Sequence, residues 1–397
     1  MKRDERSVES AFDDPEVARL LREYEAALAA GRTPDRAALL ARRPDLADEL
    51  TACLDGLEFV HAAAPALRDD AAPQGRPPAA LGDFRIVREI ARGGMGVVYE
   101  AEQVSLGRRV AVKVLPESAG ADPRRLLRFH NEAEAAAQLH HSRIVPVYAV
   151  GFEQGLHYFA MQLIEGLTLA EVIDELRARR TGVRGGRTGD PAATEALDAV
   201  AKDRTHSSDG WRRSVARLGL QAAEALEYAH SRGVVHRDVK PANLLVDRRG
   251  ELWITDFGLA SSRSPAARLT LTGDLLGTVR YMSPELTLAR RAPVDHRTDV
   301  YSLGVTLYEA LTLERAFRGD DPGRMIRAIR VEEPPTVRRL NAAVPTDLET
   351  IVSKAMAKSP AERYASAQEV ADDLGRHLQD LPIRGRPPDA APVSWTV

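Results

Sequence analysis

The clearest pattern in the chain begins at Asp83. FRIVREI (84–90), GVVYEAEQ (96–103) and RRVAVKVL (108–115) are short runs rich in β-branched residues, separated by turn residues, and they predict antiparallel strands. PRRLLRFHNEAEAAAQL (123–139) reads as a helix with alanine on its packing face. IVPVYAVGFEQGLHYFAMQLI (144–164) returns to strands, with a hairpin at Glu153-Gln154-Gly155. After Gly166 the pattern is mostly helical to about Leu378. A β-rich portion (83–163) followed by an α-rich portion (164–378) predicts two lobes of α+β type.

Flanking segments read differently. Within residues 1–61, Asp14 can cap a helix with Val17, Leu20, Leu21, Tyr24 and Leu28 on one face. Thr33-Pro34 restarts a helix carrying Leu39 and Leu40, and Pro44 starts another with Leu46, Leu50, Leu54 and Leu57. This N-terminal helical module carries no catalytic grouping, and docking a partner is its expected role. Residues 62–82 have the Ala, Pro and Gly content of a linker. Residues 177–210 lack periodicity and predict an extended, mobile surface loop, whose basic cluster suits either plain solvation or an acidic partner. Residues 379–397 read as a tail.

Composition narrows the class. The chain has 397 residues, 44% hydrophobic and 28% charged, with a net charge of −3, so it offers no overall field for nucleic acid or an anionic membrane. Its single cysteine, Cys53, excludes an internal disulfide and a cysteine metal site, as suits a reducing compartment. The first thirty residues are too charged for a signal peptide, and no run of eighteen apolar residues exists. These features predict a cytoplasmic protein. Only six of the 55 basic residues are lysine, which singles out Lys113 and Lys240 as sites that want a compact ammonium.

Four stretches carry candidate chemistry. IARGGMGVVYEA (90–101) sets Gly93, Gly94 and Gly96 between two strands, where backbone amides can approach phosphate oxygens, although a tight hairpin needs glycine too. Flanking strands argue against a dinucleotide fold, which needs a helix there. Lys113 lies mid-strand among apolar neighbours and needs a carboxylate partner unless it snorkels from an edge. Of Glu132 and Glu134 on the next helix, Glu132 lies nearer the apolar side. Asp256, in ELWITDFGLA, stands at a strand end before glycine, as suits a divalent cation or a simple turn. GVVHRDVKPANLLVD (233–247) places His236, Arg237, Asp238, Lys240 and Asn243 between apolar pieces.

Together these motifs resemble a eukaryotic-type (Hanks-type) serine/threonine protein kinase domain over about Phe84 to Leu378, with GGMGVVYEA, HRDVKPANLL and YMSPE similar to the bacterial group. The resemblance implies a bilobal kinase fold and ATP-dependent phosphorylation of protein Ser/Thr hydroxyls in signal transduction, with magnesium, or manganese in its place, as the metal. It implies nucleotide contacts from Ala91, Arg92, Gly93, Gly94, Met95, Gly96, Val98, Ala111, Met161, Gln162, Ile164 and Leu245, with Met161 as gatekeeper and Gln162 to Ile164 as hinge. Lys113, paired with Glu132, would hold the α- and β-phosphates. Asp238 would orient the acceptor hydroxyl, Lys240 steady the γ-phosphate, and Asn243 and Asp256 bind metal. Thr278 would help place the substrate, Asp299 brace the catalytic loop, and Glu285 pair with Arg363. Arg237 suits capture of a phosphate on the activation segment, with Thr270 and Thr272 the phosphorylation candidates. Self-association for phosphorylation in trans belongs to the same expectation. Two departures stand out: Ala91 replaces the first glycine of the loop, and HHSRIV replaces the usual His-Pro-Asn-Ile-Val. A pseudokinase scaffold is the competing reading, which the presence of Lys113, Asp238, Asn243 and Asp256 disfavours. A small-molecule phosphotransferase is disfavoured by the full GTVRYMSPE segment.

Overall fold

A computed structural model of the chain describes residues 78–93, 96–115, 123–182, 191–201, 209–257, 275–287, 294–319 and 321–385, with scattered positions between 19 and 54. Gly94, Met95, Gly258, Thr270, Thr272, Cys53, residues 62–77 and most of the N-terminal module lie outside the described residues.

The N-lobe is one antiparallel sheet. Strands β1 (Ala80–Leu81), β2 (Phe84–Gly93), β3 (Gly96–Gln103), β4 (Arg108–Leu115), β5 (Val147–Glu153) and β6 (Leu156–Gln162) stand in the order β1-β2-β3-β4-β6-β5. Gln154 and Gly155, both at positive φ (53° and 80°), form the two-residue turn between β5 and β6, as expected of a tight hairpin. Side-chain alternation divides β4. Val110, Val112 and Val114 join one apolar cluster with Phe84, Tyr99 and Tyr158. Ala111 and Leu115 face the opposite cluster, under helix α1 (Pro123–Ala137), with Phe129, Ala133 and Phe159. Lys113 shares the parity of Ala111 and Leu115, so the pleat itself sends it to the side occupied by the helix.

The C-lobe is mainly helical, with a small sheet of β7 (Gly166–Thr168), β8 (Leu244–Asp247) and β9 (Leu252–Ile254). Its core is built on helix α4 (Asp209–His230) and helix α5 (Arg297–Thr312). Every α5 residue from Thr298 to Thr312 is buried, which makes it a central helix, covered all round. Helix α6 (Ala367–Leu378) packs along α4 and closes the lobe.

The expected loop over 177–210 is corrected at 177–181 and 191–201 by two helices, while 183–190 and 202–208 lie outside the described residues. Helix α2 (Leu169–Thr181) starts at a capping box, Thr168 with Glu171, and ends at Gly182 with φ 75°, so residues 177–181 are its last turn. Helix α3 (Pro191–Ala201) buries Ala192, Ala196 and Val200, one face at i, i+4 and i+8. Alanine adds little hydrophobic contrast, which is why this face escapes a periodicity reading. Ser214 donates to Val200 O at 2.7 Å and ties α3 to α4. The start of the predicted tail is likewise held: Arg384 N and Gly385 N both donate to buried Asp373 at 2.7 Å. Near the N-terminus, helix Arg36–Ala41 is capped by Asp35, one residue beyond the expected Thr33-Pro34 start. Leu20, Tyr24, Leu50 and Leu54, from the expected apolar faces, are buried. Among the described residues no helix is long and apolar enough to cross a membrane.

Candidate active site

Strands β2 and β3 pair up to Gly93 opposite Gly96, on either side of the glycine loop. Gly96 has φ 144°, and a Cβ there would lie 2.3 Å from Val114 O, so the position demands glycine twice over. A Cβ at Gly93 would meet no described atom within 4 Å. Ala91 pairs with Val98 in the strands, and the Arg92 guanidinium is engaged by Glu89 at 2.6 Å. Register then carries the site across the sheet: Val98 lies opposite Lys113, and Ala111 opposite Met161. Val98, Ala111, Met161, Ile164 and Leu245 meet in one apolar cluster, an arrangement that can take a flat apolar ring. Ile90 and Val145 join it, although the sequence pattern assigns them no site role. Gln162 ends β6 and donates its N–H to Pro146 O at 3.1 Å.

Lys113 is the hinge point of the charges. Its Nζ lies 2.6 Å from Glu132 Oε1 and 2.8 Å from Asp256 Oδ1, so one ammonium from the sheet joins a carboxylate of α1 to one of the C-lobe. Glu134 is exposed, as its opposite face predicts. Burial acts to lower the Lys113 amine, but the Asp256 and Glu132 charges outweigh it and hold the group protonated. Burial pushes Glu132 up to about 8, against the pull of Lys113 and with the Asp256 charge adding to the rise. At Asp256 burial also acts upward, and Lys113 overcomes it, holding the carboxyl at about 2. Two carboxyl groups facing one ammonium form an oxygen-rich corner.

The catalytic-loop candidates form a second group near Asp256, whose carboxyl feels the Lys240 charge. Lys240 Nζ lies 2.9 Å from Asp238 Oδ2 and donates to Thr278 Oγ1 at 2.9 Å. Asn243 Nδ2 donates to Asp238 O at 2.9 Å and to its Oδ2 at 3.0 Å, which leaves the amide oxygen for another ligand. Thr255 N donates to Asn243 O at 3.1 Å, binding this loop to the segment that carries Asp256.

Buried Asp299, at the start of α5, holds the loop from below. It accepts from Arg237 N at 2.7 Å, His236 N at 2.8 Å and His230 Nε2 at 2.7 Å. Burial acts to raise this carboxyl, and the His230 hydrogen bond leads the contacts that lower it below the usual range. His230 has no sequence motif to announce it; its position at the end of α4 alone brings it to Asp299. His236 Nε2 lies 3.0 Å from Thr255 O, a pure acceptor, and Nδ1 accepts from Asp238 N at 3.2 Å. Both contacts fit one neutral tautomer, with the proton on Nε2. Arg237 and Asp256 sit at φ 64° and 62°, strained for residues with a side chain. Further out, Arg363 forms a buried bidentate pair with Glu285 at 2.7 and 2.8 Å. The structure thus brings together Lys113 with Glu132 and Asp256, Asp238 with Lys240, Asp299 with the loop, and Glu285 with Arg363.

A family model described as protein kinase domain matches residues 84–374. The chain belongs to the protein kinase family. Serine/threonine-protein kinase PrkC of Bacillus subtilis is 34% identical over 293 residues, covering 74% of this chain and 40% of the relative. Serine/threonine-protein kinase PknB of Mycobacterium leprae is 35% identical over 305 residues, covering 76% of this chain and 43% of the relative. The chain therefore spans about two fifths of the length of the curated relatives it matches. The crystal structure of the Mycobacterium tuberculosis PknI kinase domain superposes with a TM-score of 0.52 at 26% identity, over 76% of this chain and 99% of that one. Family and fold agree with the expectation of a bilobal protein kinase domain.

Proposed function

We propose that this protein kinase transfers the γ-phosphoryl group of ATP, in a magnesium-dependent reaction, to serine and threonine hydroxyls of proteins, its own activation segment included. The observation that carries the reading is the completeness of one connected set: Glu132–Lys113–Asp256 across the lobes, with Asp238, Lys240, Asn243 and Thr278 beside it.

In this reading the adenine lies in the cluster of Val98, Ala111, Met161, Ile164 and Leu245, and the backbone of Gly93 and Gly96 lies over the phosphates. Glu132 holds Lys113 toward the α- and β-phosphates. The donor set fits magnesium: the Asp256 carboxylate and the free Asn243 amide oxygen are hard ligands, and this ion takes few protein ligands beside phosphate and water. Bound there, it would neutralise charge on the β- and γ-phosphates. Asp238 orients the acceptor hydroxyl and takes its proton as the oxygen attacks the γ-phosphorus. The bond from that phosphorus to the β,γ-bridging oxygen breaks, and ADP departs. Lys240 meets charge on the transferred group while Thr278 fixes the Lys240 ammonium. The protein contributes position and charge rather than covalent chemistry. Arg237 captures a phosphate on Thr270 or Thr272, the activating step of the scheme.

Radiolabelled ATP with a generic basic protein, comparing wild type with Asp238→Asn, tests this. Wild type should label itself and the acceptor only with magnesium or manganese present, and Asp238→Asn should fall by about 10²–10⁴-fold, the usual worth of a general base. Phosphopeptide mapping should find label on Thr270 or Thr272. A wild type that transfers nothing, or an Asp238→Asn that matches it, overturns the reading.

A further inference from the structure

Away from the Lys113 group, the C-lobe holds a cavity of about 420 Å³ lined by Arg177, Arg280, Glu314, Arg315, Arg318 and Gly319. Arg177 comes from the end of α2, Arg280 from the segment just after Thr278, and the rest from the turn that follows α5. Four guanidiniums therefore face one carboxylate. That carboxylate is already committed, because Glu314 pairs with Arg180 at 2.6 Å and with Arg318 at 3.1 Å.

The deeper arginines are fixed by groups outside the cavity lining or by backbone. Arg280, 6% exposed, donates to Phe317 O at 3.0 Å and Gly319 O at 2.8 Å. Arg177 donates to Leu313 O at 2.8 Å and to Glu309 at 2.5 Å, and Glu309 also accepts from Tyr281 Oη at 2.5 Å. At the rim, Arg315 is exposed and makes no hydrogen bond or ion pair with any described residue. Arg177 also pairs with Asp174 at 2.8 Å, so its charge is balanced, and the positive charge that faces the cavity lies at Arg280 and at the rim, where forked donors match a carboxylate or a phosphoryl group.

Location gives this charge a use. Thr278 accepts a hydrogen bond from Lys240, which itself pairs with Asp238. Arg280 follows Thr278 by two residues, a span of at most ~7 Å. A peptide that brings a hydroxyl to Asp238 advances ~3.3 Å per residue when extended, so a side chain a few residues away reaches the arginines.

We propose that this cavity is a substrate subsite for an anionic side chain, carboxylate or phosphoryl, lying a few residues from the acceptor hydroxyl of a protein substrate. The proposal rests on the kinase reading above. The full chain is assayed on peptides with one Ser or Thr acceptor in a neutral background, with Glu, phosphoserine, Gln or Arg placed singly at each neighbouring position. Wild type is compared with Arg315→Ala/Arg318→Ala and Arg315→Glu/Arg318→Glu, changes at exposed rim positions outside the catalytic group. At one or two adjacent positions an anion should raise kcat/KM about 10-fold over Gln, through KM, the worth of two good rim ion pairs. The alanine pair should cut this below about 2-fold, and the glutamate pair should favour Arg at the same position, while the all-neutral peptide is turned over equally by all three proteins. A response to phosphoserine alone supports the phosphoryl form of the proposal. A wild type with no positional preference for anions, or a preference that survives both variants, overturns it. Turnover of the neutral peptide reports the kinase reading separately. If no peptide is phosphorylated, fluorescence anisotropy of a labelled Glu peptide decides: about 10-fold weaker binding by the alanine pair supports the subsite, and equal binding refutes it.

Discussion

Replacing Asp299 by Asn changes one atom of a fully buried carboxylate and should damage two properties in a defined ratio. The native side chain accepts three hydrogen bonds, from His236 N, Arg237 N and His230 Nε2. An amide keeps one acceptor oxygen and turns an NH₂ toward the other donors. One backbone N–H, that of His236 or Arg237, then loses its partner, which costs about 1–3 kcal/mol, and the bond that remains loses its charge assistance, about 1 kcal/mol more. A destabilisation of about 2–4 kcal/mol follows. The same two N–H groups hold the backbone at Arg237, whose φ of 64° would otherwise relax. Asp238 is the next residue, so its carboxylate moves, and a displacement of about 1 Å costs on the order of 10² in rate. Under the kinase reading the nucleotide side, built on Lys113 and Glu132, is untouched. Chemical denaturation should therefore show the stability loss, and steady-state kinetics should show kcat falling about 10²-fold with the KM for ATP within about 2-fold. The acid limb adds a sign. The folded pKa of Asp299 lies below its unfolded value, so its contribution is present above about pH 4 and disappears only as pH falls through the folded pKa. The stability gap between wild type and Asp299→Asn should stay level from pH 7 to 5 and close below pH 4. A variant as stable as wild type, or one whose loss falls on the KM for ATP, refutes the reasoning.

Arg363→Met should destabilise by about 3–5 kcal/mol in urea or thermal melts, because it strands buried Glu285 and three carbonyls, of Ala357, Arg297 and Lys358, that Arg363 now serves. Glu285→Met/Arg363→Met should be less damaged than the sum of its single changes, and a double variant at or beyond that sum contradicts the pairing. Gly96→Ala should lose about 2–4 kcal/mol, from strain at φ 144° and the contact with Val114 O, and should raise the KM for ATP. Gly93→Ala meets no described atom within 4 Å and should lose under about 1 kcal/mol; equal losses would show that the close approach at Gly96 is not what selects glycine.

How much of this was legible in the sequence depends on the cost of each feature. Lys113 stood out because an ammonium amid Val112, Val114 and Ala111 is expensive unless paired, and the expense names its partner class. Glu132 followed from helical facing, and the burial of Glu132 against exposed Glu134 agrees. Helix α3 was not legible, because Ala192 and Ala196 are weak markers of a buried face, and loop composition on either side masked the period. His230 was silent for a different reason. It lies 69 residues from Asp299, and nothing local requires it. The arginine-lined cavity was partly visible as a basic run at 177–180, but Arg280 and Arg315 join it only through the fold.

The two strained residues suggest how these parts work together. Asp256 is held at positive φ by its ion pair to Lys113, and Arg237 by its hydrogen bond to Asp299. One constraint spans the lobes and the other is sealed inside the C-lobe. They therefore respond to different events. Under the kinase reading, nucleotide phosphates compete with Asp256 for Lys113, and a cation that takes up the Asp256 carboxylate makes that exchange favourable, with Glu132 keeping the ammonium in place throughout. Asp238 needs no such exchange, because Asp299 fixes its backbone before any ligand arrives. On that reading the half proposed to hold metal and phosphate is built to rearrange on binding, and the half proposed to meet the acceptor hydroxyl is built in advance.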